Sequence, residues 1–346
     1  MQIRLPKQTL RFIIIITASA IFLYFAFRSL VWREVWLAFQ QFDRIWFLVA
    51  LCLILFSDSL HVLRWQLLLK PTQYIAPTAL FEAIILGRFA DLILPLNIGP
   101  VIRAYRLKQR FDLSMVTIFG SLATEGIVGS LVFWAFSILV ILLVPLPHEF
   151  DPMREQIRLG LVLLTLILIA LFITIISIRT LSKRSEIANA IFSRPVSSQW
   201  QTSLNDHWQR FQQGLALGRT NQEIGFILLY SLGIRLTFGL TALSVARGFG
   251  VDLPYLTYLF IDILVSVAHI VGGQVLGLVG TLEAALTYSL NIYGVPKEIG
   301  LSIALIINTA FILPSAILGL IFFLRSGLTW RELTALQKQD VSRNTP

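Results

Sequence analysis

Charge is what this 346-residue sequence is short of. Asp, Glu, Lys and Arg together make up 14% of it, where an ordinary soluble domain carries roughly 25%. That deficit excludes a cytosolic enzyme, a secreted disulfide scaffold and a DNA-binding domain. Cysteine is nearly absent as well: Cys52 stands alone, so no internal disulfide can form. Four histidines, none followed by a carboxylate at i+4, make no metal site. There is no glycine-rich loop ending in Lys-Ser/Thr and no nucleophile elbow. No metal or other cofactor is expected, and no residue pattern argues for an enzyme.

Hydrophobic residues are abundant at 56%, and the mean hydropathy is +0.77. Composition of this kind belongs in a bilayer. Basic residues outnumber acidic ones 28 to 19, a formal net charge of +9. In a membrane protein such an excess decorates cytoplasmic loops, so no nucleic-acid partner is expected.

Six stretches are long and apolar enough to cross about 30 Å of hydrocarbon as helices. They lie near Leu10–Leu30, Ile45–Leu69, Ser114–Val144, Leu159–Ile178, Ile224–Ala246 and Leu301–Leu324. The first reads as an uncleaved signal-anchor, with Arg28, Trp32 and Trp36 beyond it as an interfacial anchor.

Two more apolar stretches carry helix-breaking residues where the middle of the membrane would fall. Thr78–Leu96 runs into Pro95, Asn97, Gly99 and Pro100, then a basic helix over Val101–Phe111. Tyr255–Tyr293 is interrupted by Gly272-Gly273-Gln274, Gly277 and Gly280, with Glu283 just beyond. Irregular backbone at that depth survives only where protein or a water-filled cavity covers it. Both read as re-entrant helical hairpins, the first entering from the cytoplasm and the second from outside. With both termini cytoplasmic, the inside segments then hold 20 basic residues and the outside segments 7, with Arg235 mid-helix. Making either hairpin a simple span inverts everything after it and spoils that bias.

The expected fold class is therefore all-α: a polytopic bundle of about six spans plus two opposed re-entrant hairpins. Residues 1–330 form one transmembrane domain, with a basic cytoplasmic loop at 179–221 and a cytoplasmic tail at 331–346. The hairpin tips, Asn97-Ile98-Gly99-Pro100 and Gly277-Leu278-Val279-Gly280, share a weak likeness. Entering from opposite faces, they would form an inverted repeat with a site near the midplane.

Charges inside a membrane are costly and mark candidate sites. Asp58, His61 and Arg64 are spaced i, i+3, i+6 on one helix face. Asp58 and His61 would make a proton relay, or Asp58 would pair with Arg88 or Arg103 and hold a hairpin in place. Arg64, near a cytoplasmic end, fits an anchor that snorkels. Glu125 and Arg235 sit mid-span, either as an ion pair or as the polar floor of a headgroup cavity that Arg103 and Glu283 would join. Arginine suits a lipid phosphate, because its planar fork binds phosphate oxygens bidentately. The start of the helix at Val101, after Pro100, would offer free N–H groups to an anion. The cluster Arg103, Arg106, Lys108 and Arg110 fits capture of anionic headgroups at the inner leaflet or mere charge bias. His269 would line the second break or pack against it.

Arg64-Trp65, Gly87-Arg88-Phe89, Leu94-Pro95 and Gly99-Pro100-Val101-Ile102-Arg103 follow one another in a familiar order, as do Gly277–Glu283, Gly294-Val295 and a last span with Pro314. In these landmarks the chain resembles the transmembrane, flippase-type domain of lysylphosphatidylglycerol synthases over roughly residues 10–325. Pro100 stands where that family has Glu. Gly126 and Gly129 replace an Arg and an Asp, and Asn308 stands about where the last span carries Arg. No soluble stretch is long enough for the synthases' aminoacyltransferase domain. The resemblance implies an inner-membrane lipid translocase, moving an anionic phospholipid or a polyprenyl-phosphate lipid between leaflets. An ion-coupled carrier of a small solute and an intramembrane enzyme acting on lipid-linked sugars are the alternatives. The oligomeric state, a homo-oligomer included, stays open.

Overall fold

In lipid the backbone must satisfy its own polar groups, and an apolar run does so as a helix. The computed structural model describes residues 30–94, 98–111, 113–144, 220–276 and 280–326, with isolated positions between 156 and 163. Among these residues the regular structure is all helical. The elements are α1 (Trp32–Gln41), α2 (Arg44–Leu69), α3 (Pro77–Ile93), α4 (Gly99–Arg110), α5 (Met115–Leu143), α6 (Asn221–Gly248), α7 (Tyr255–Leu276), α8 (Thr281–Ile292) and α9 (Lys297–Ser326).

Helices α2, α5, α6 and α9 are each long and apolar enough to span a bilayer. They match four of the six expected spans to within a few residues at each end. The expected spans Leu10–Leu30 (all but its last residue) and Leu159–Ile178 (all but isolated positions), the loop at 179–221 (all but 220 and 221) and the tail at 331–346 lie outside the described residues. Leu55, Phe56, Leu139, Leu142, Ile317 and Leu324 are exposed on the spans. Apolar surface of that extent needs an apolar solvent. The protein is a polytopic helical membrane protein.

The chain divides into two compact units. One draws on Met1–Val62, Thr78–Arg103 and Gly233–Pro346. Its core joins Ala50 and Ile54 of α2 to Ala242 and Val245 of α6, Tyr258 and Ile261 of α7, Leu286 and Leu290 of α8, and Ile303 and Ile307 of α9. Phe89 of α3 rests where Gly319 of α9 has no side chain, with Phe323 at 6.0 Å between ring centroids. The other unit draws on Leu63–Pro77 and Ala104–Leu232. There Trp65 is fully buried and its indole N–H donates to Ser121 Oγ at 3.1 Å.

The order of elements repeats. A span, a broken pair and a second span occur as α2-α3-α4-α5 with 26, 17, 12 and 29 residues. They recur as α6-α7-α8-α9 with 28, 22, 12 and 30. Among the described residues the same order of four helices is thus present twice along the chain. Of the expected interruptions, Gly272-Gly273-Gln274 lie inside α7, which continues to Leu276, while the gap before α8 coincides with the expected tip. Glycine costs a helix about 1 kcal/mol per residue, which the surrounding apolar run absorbs at Gly272 and Gly273.

Candidate functional site

Each broken pair restarts at a glycine whose backbone N–H is held by a carboxylate. At the first break Gly99, the opening residue of α4, donates its N–H to Asp91 Oδ1 of α3 at 2.6 Å. A β-carbon on Gly99 would collide with the same carboxylate, so only glycine lets Asp91 come this close. Val101 and Ile102 donate their N–H groups to Ile98 O at 2.9 and 3.1 Å. A helix N-terminus attracts negative charge through its free N–H groups and dipole. Here the negative charge is the chain's own. Arg103, one turn into α4, is an electrostatic neighbour of Asp91. Its stem crosses Gly87, where a β-carbon would lie 2.7 Å from Arg103 Cγ.

At the second break Gly280 has φ 118°, a conformation that side chains with a β-carbon avoid. Its N–H donates to Glu283 Oε2 at 2.7 Å, so the third residue of α8 caps its own helix. Glu283 Oε1 accepts from Asn308 Nδ2 of α9 at 2.6 Å. The carboxylate is 2% exposed and both its oxygens are engaged.

Each repeat also ties its leading span to the first half of its broken pair with an ion pair. In the first, Arg88 of α3 donates to Asp58 Oδ1 of α2. In the second, Arg235 of α6 stands 3.7 Å from Asp262 Oδ2 of α7. Asp58 and Arg235 are each the fifteenth residue of their helix, so the two repeats use one position with opposite signs. In the other unit Arg64 Nη2 donates to Glu125 Oε1 at 2.7 Å, both side chains under 10% exposed, and Arg64 Nη1 donates to Ser231 Oγ at 3.2 Å.

The family model described as lysylphosphatidylglycerol synthase TM region matches residues 9–319. The chain belongs to this family. No curated protein and no solved structure matches it. The lysylphosphatidylglycerol synthase membrane region thus accounts for every helix described here but the last turns of α9.

Within that framework several expected placements change. Glu125, expected either in an ion pair or on the floor of a cavity, is bridged to Arg64, and Arg235 lies by Asp262. Arg64 is therefore a buried partner and not a snorkelling anchor, because a carboxylate lies within reach inside the protein. The expected free N–H groups at the start of α4 are occupied by Asp91 and Ile98. Of the two readings of Asp58, the pairing with Arg88 is the one seen. Arg103 sits by Asp91, and Glu283 by Asn308. His61 is half-buried on α2. Pro100 is the second residue of α4, a first-turn position that needs no N–H partner. Asn97 and Gly277 lie outside the described residues, and of His269 only its place in α7 is described.

Sequence reasoning missed Asp91 and Asp262. Asp262 is the single acid of an otherwise apolar run, and Asp91 shares its apolar stretch with Glu82 and Arg88. The rule that such residues need a partner would have found them.

Proposed function

We propose that the protein is a lipid translocase of the inner membrane that carries an anionic phospholipid or a polyprenyl-phosphate lipid between leaflets. The observation that carries this reading is the doubled arrangement of a span, a broken pair and a second span, each break closed by a carboxylate on a glycine N–H. Broken helices in paired positions are how membrane carriers build a central site that opens to either side. Family membership directs the reading to lipid. The broken pairs are read as re-entrant hairpins, the first from the cytoplasm and the second from outside, which makes the repeat inverted. Both termini are then cytoplasmic, and the basic residues Arg103, Arg106, Lys108 and Arg110 of α4 face anionic headgroups of the inner leaflet. The chain is read as a carrier and not as an enzyme.

Reconstitution in liposomes tests the activity. Labelled phospholipids and labelled polyprenyl phosphates should exchange between leaflets faster with the protein than in protein-free vesicles. Exchange at the protein-free rate for every lipid offered would remove the translocase reading.

The orientation has its own test. In a Cys52→Ser background, a cysteine at Pro147 should react with an impermeant reagent added from the periplasmic side. Labelling from the cytoplasmic side alone would invert the topology and with it the assignment of the basic flank.

A further inference from the structure

Among the described carboxylates of the first unit's helices, that of Asp262 is the one least provided for. It is 2% exposed, and its Oδ2 has no hydrogen-bond partner. Arg235, 3.7 Å away, is beyond hydrogen-bonding contact. Its Oδ1 receives Ser266 Oγ at the long distance of 3.5 Å, and Arg235 Nη1 reaches that same hydroxyl at 3.5 Å. The bridge of the first repeat is different: Asp58 also leaves its Oδ2 without a partner, but its Oδ1 is in direct contact with Arg88. Each repeat has one bridge from the fifteenth residue of its leading span to its broken pair, one closed and one slack.

The groups around Asp262 decide what the slack bridge can do. From α6 the charged neighbour is Arg235, whose side chain is 30% exposed. On α7 itself Tyr255 is an electrostatic neighbour, its hydroxyl already donated to Leu236 O at 2.7 Å. The acid of α8, Glu283, is committed to Gly280 and to Asn308 of α9. Among the described residues Arg235 is thus the cation that faces Asp262, and its side chain is only partly buried. A buried carboxylate with an unsatisfied oxygen bears a desolvation cost that proton uptake relieves.

We infer that Asp262 is a proton-binding site, at which proton uptake neutralises the carboxylate and releases Arg235 to an anionic headgroup. One proton from water adds to the carboxylate to give the carboxylic acid. The charge of Arg235, no longer matched by Asp262, is then matched by the phosphate of the lipid. Release of the lipid on the other side returns Arg235 to Asp262 as the proton leaves. Coupling to transport rests on the translocase reading, whereas proton binding does not.

Two measurements on the full-length protein in lipid separate these claims. Difference infrared spectra across a pH titration should show a protonated-carboxyl band that Asp262→Asn removes. Asp262→Glu should shift that band and Asp58→Asn should leave it. A wild-type spectrum with no band sensitive to Asp262→Asn overturns the proton site. In vesicles carrying a pH gradient and labelled phosphatidylglycerol, one-to-one coupling gives a steady-state leaflet ratio of about tenfold per pH unit. Asp262→Asn should collapse that ratio to about one. Leaflet exchange that ignores the gradient in the wild type overturns the coupling, and absence of any exchange with the band intact defeats the translocase reading alone.

Discussion

Glu125→Ala should destabilise the protein by about 3–5 kcal/mol, the usual cost of removing one partner from a buried ion pair. The substitution removes from buried Arg64 the carboxylate at 2.7 Å and keeps Ser231 Oγ at 3.2 Å. A hydroxyl supplies a hydrogen bond but no counter-charge. Unfolding in mixed micelles should show the loss. The double change Arg64→Met with Glu125→Leu should recover most of it, because no charge is then stranded. A single-mutant loss below about 1 kcal/mol would put the bridge on a par with exposed pairs and sink the claim that it is buried in the working protein.

The second large effect concerns the breaks. Gly99→Val and Gly280→Val should each abolish leaflet exchange while the protein inserts with normal topology. At Gly99 any β-carbon collides with the Asp91 carboxylate that holds its N–H, so the cap on α4 must open. At Gly280 the collision is internal to the residue, because φ 118° costs a β-branched side chain on the order of 1–3 kcal/mol. That strain tends to release Glu283 from the N–H it caps. Gly126 is the control: a β-carbon there meets nothing within 4 Å, and Gly126→Val should exchange lipid like the wild type. Normal exchange by both tip variants, with expression confirmed, would show that the glycine–carboxylate contacts play no part in transport.

Much of the fold was legible because lipid imposes a simple rule on sequence. A run such as Ile45–Leu69 has to become one helix, and α2 does so as Arg44–Leu69. The breaks were legible in kind, since Pro95 and the glycines of 272–280 cannot all be helix interior. Which glycine stops α7 was not, because isolated glycines are tolerated inside a helix. The site was less legible than the fold. Asp58 with Arg88 is separated by 30 residues and Arg64 with Glu125 by 61, and a one-dimensional pattern does not say which of several cations meets which acid. Asp262, the lone acid of an apolar stretch, gives no sign in the sequence that it faces Arg235. Asp91 is hidden for another reason: its role as the anion at the start of α4 joins residues of two different helices, a contact the sequence does not display.

The interleaved make-up of the first unit has a consequence for how the protein is made. Ala50 and Ile54 of α2 belong to a core completed by residues as far along as Ile307 and Ala310. At roughly 5–20 residues per second, synthesis from α2 to the end of α9 takes on the order of ten to fifty seconds. For that time the inner face of α2 has no native neighbours from α6 to α9, and lipid or an insertion factor must occupy it. Asp58 passes through the same interval, at first without Arg88. A nascent chain stalled before α6 should therefore be a substrate for membrane quality control, and release from it should coincide with the arrival of α9.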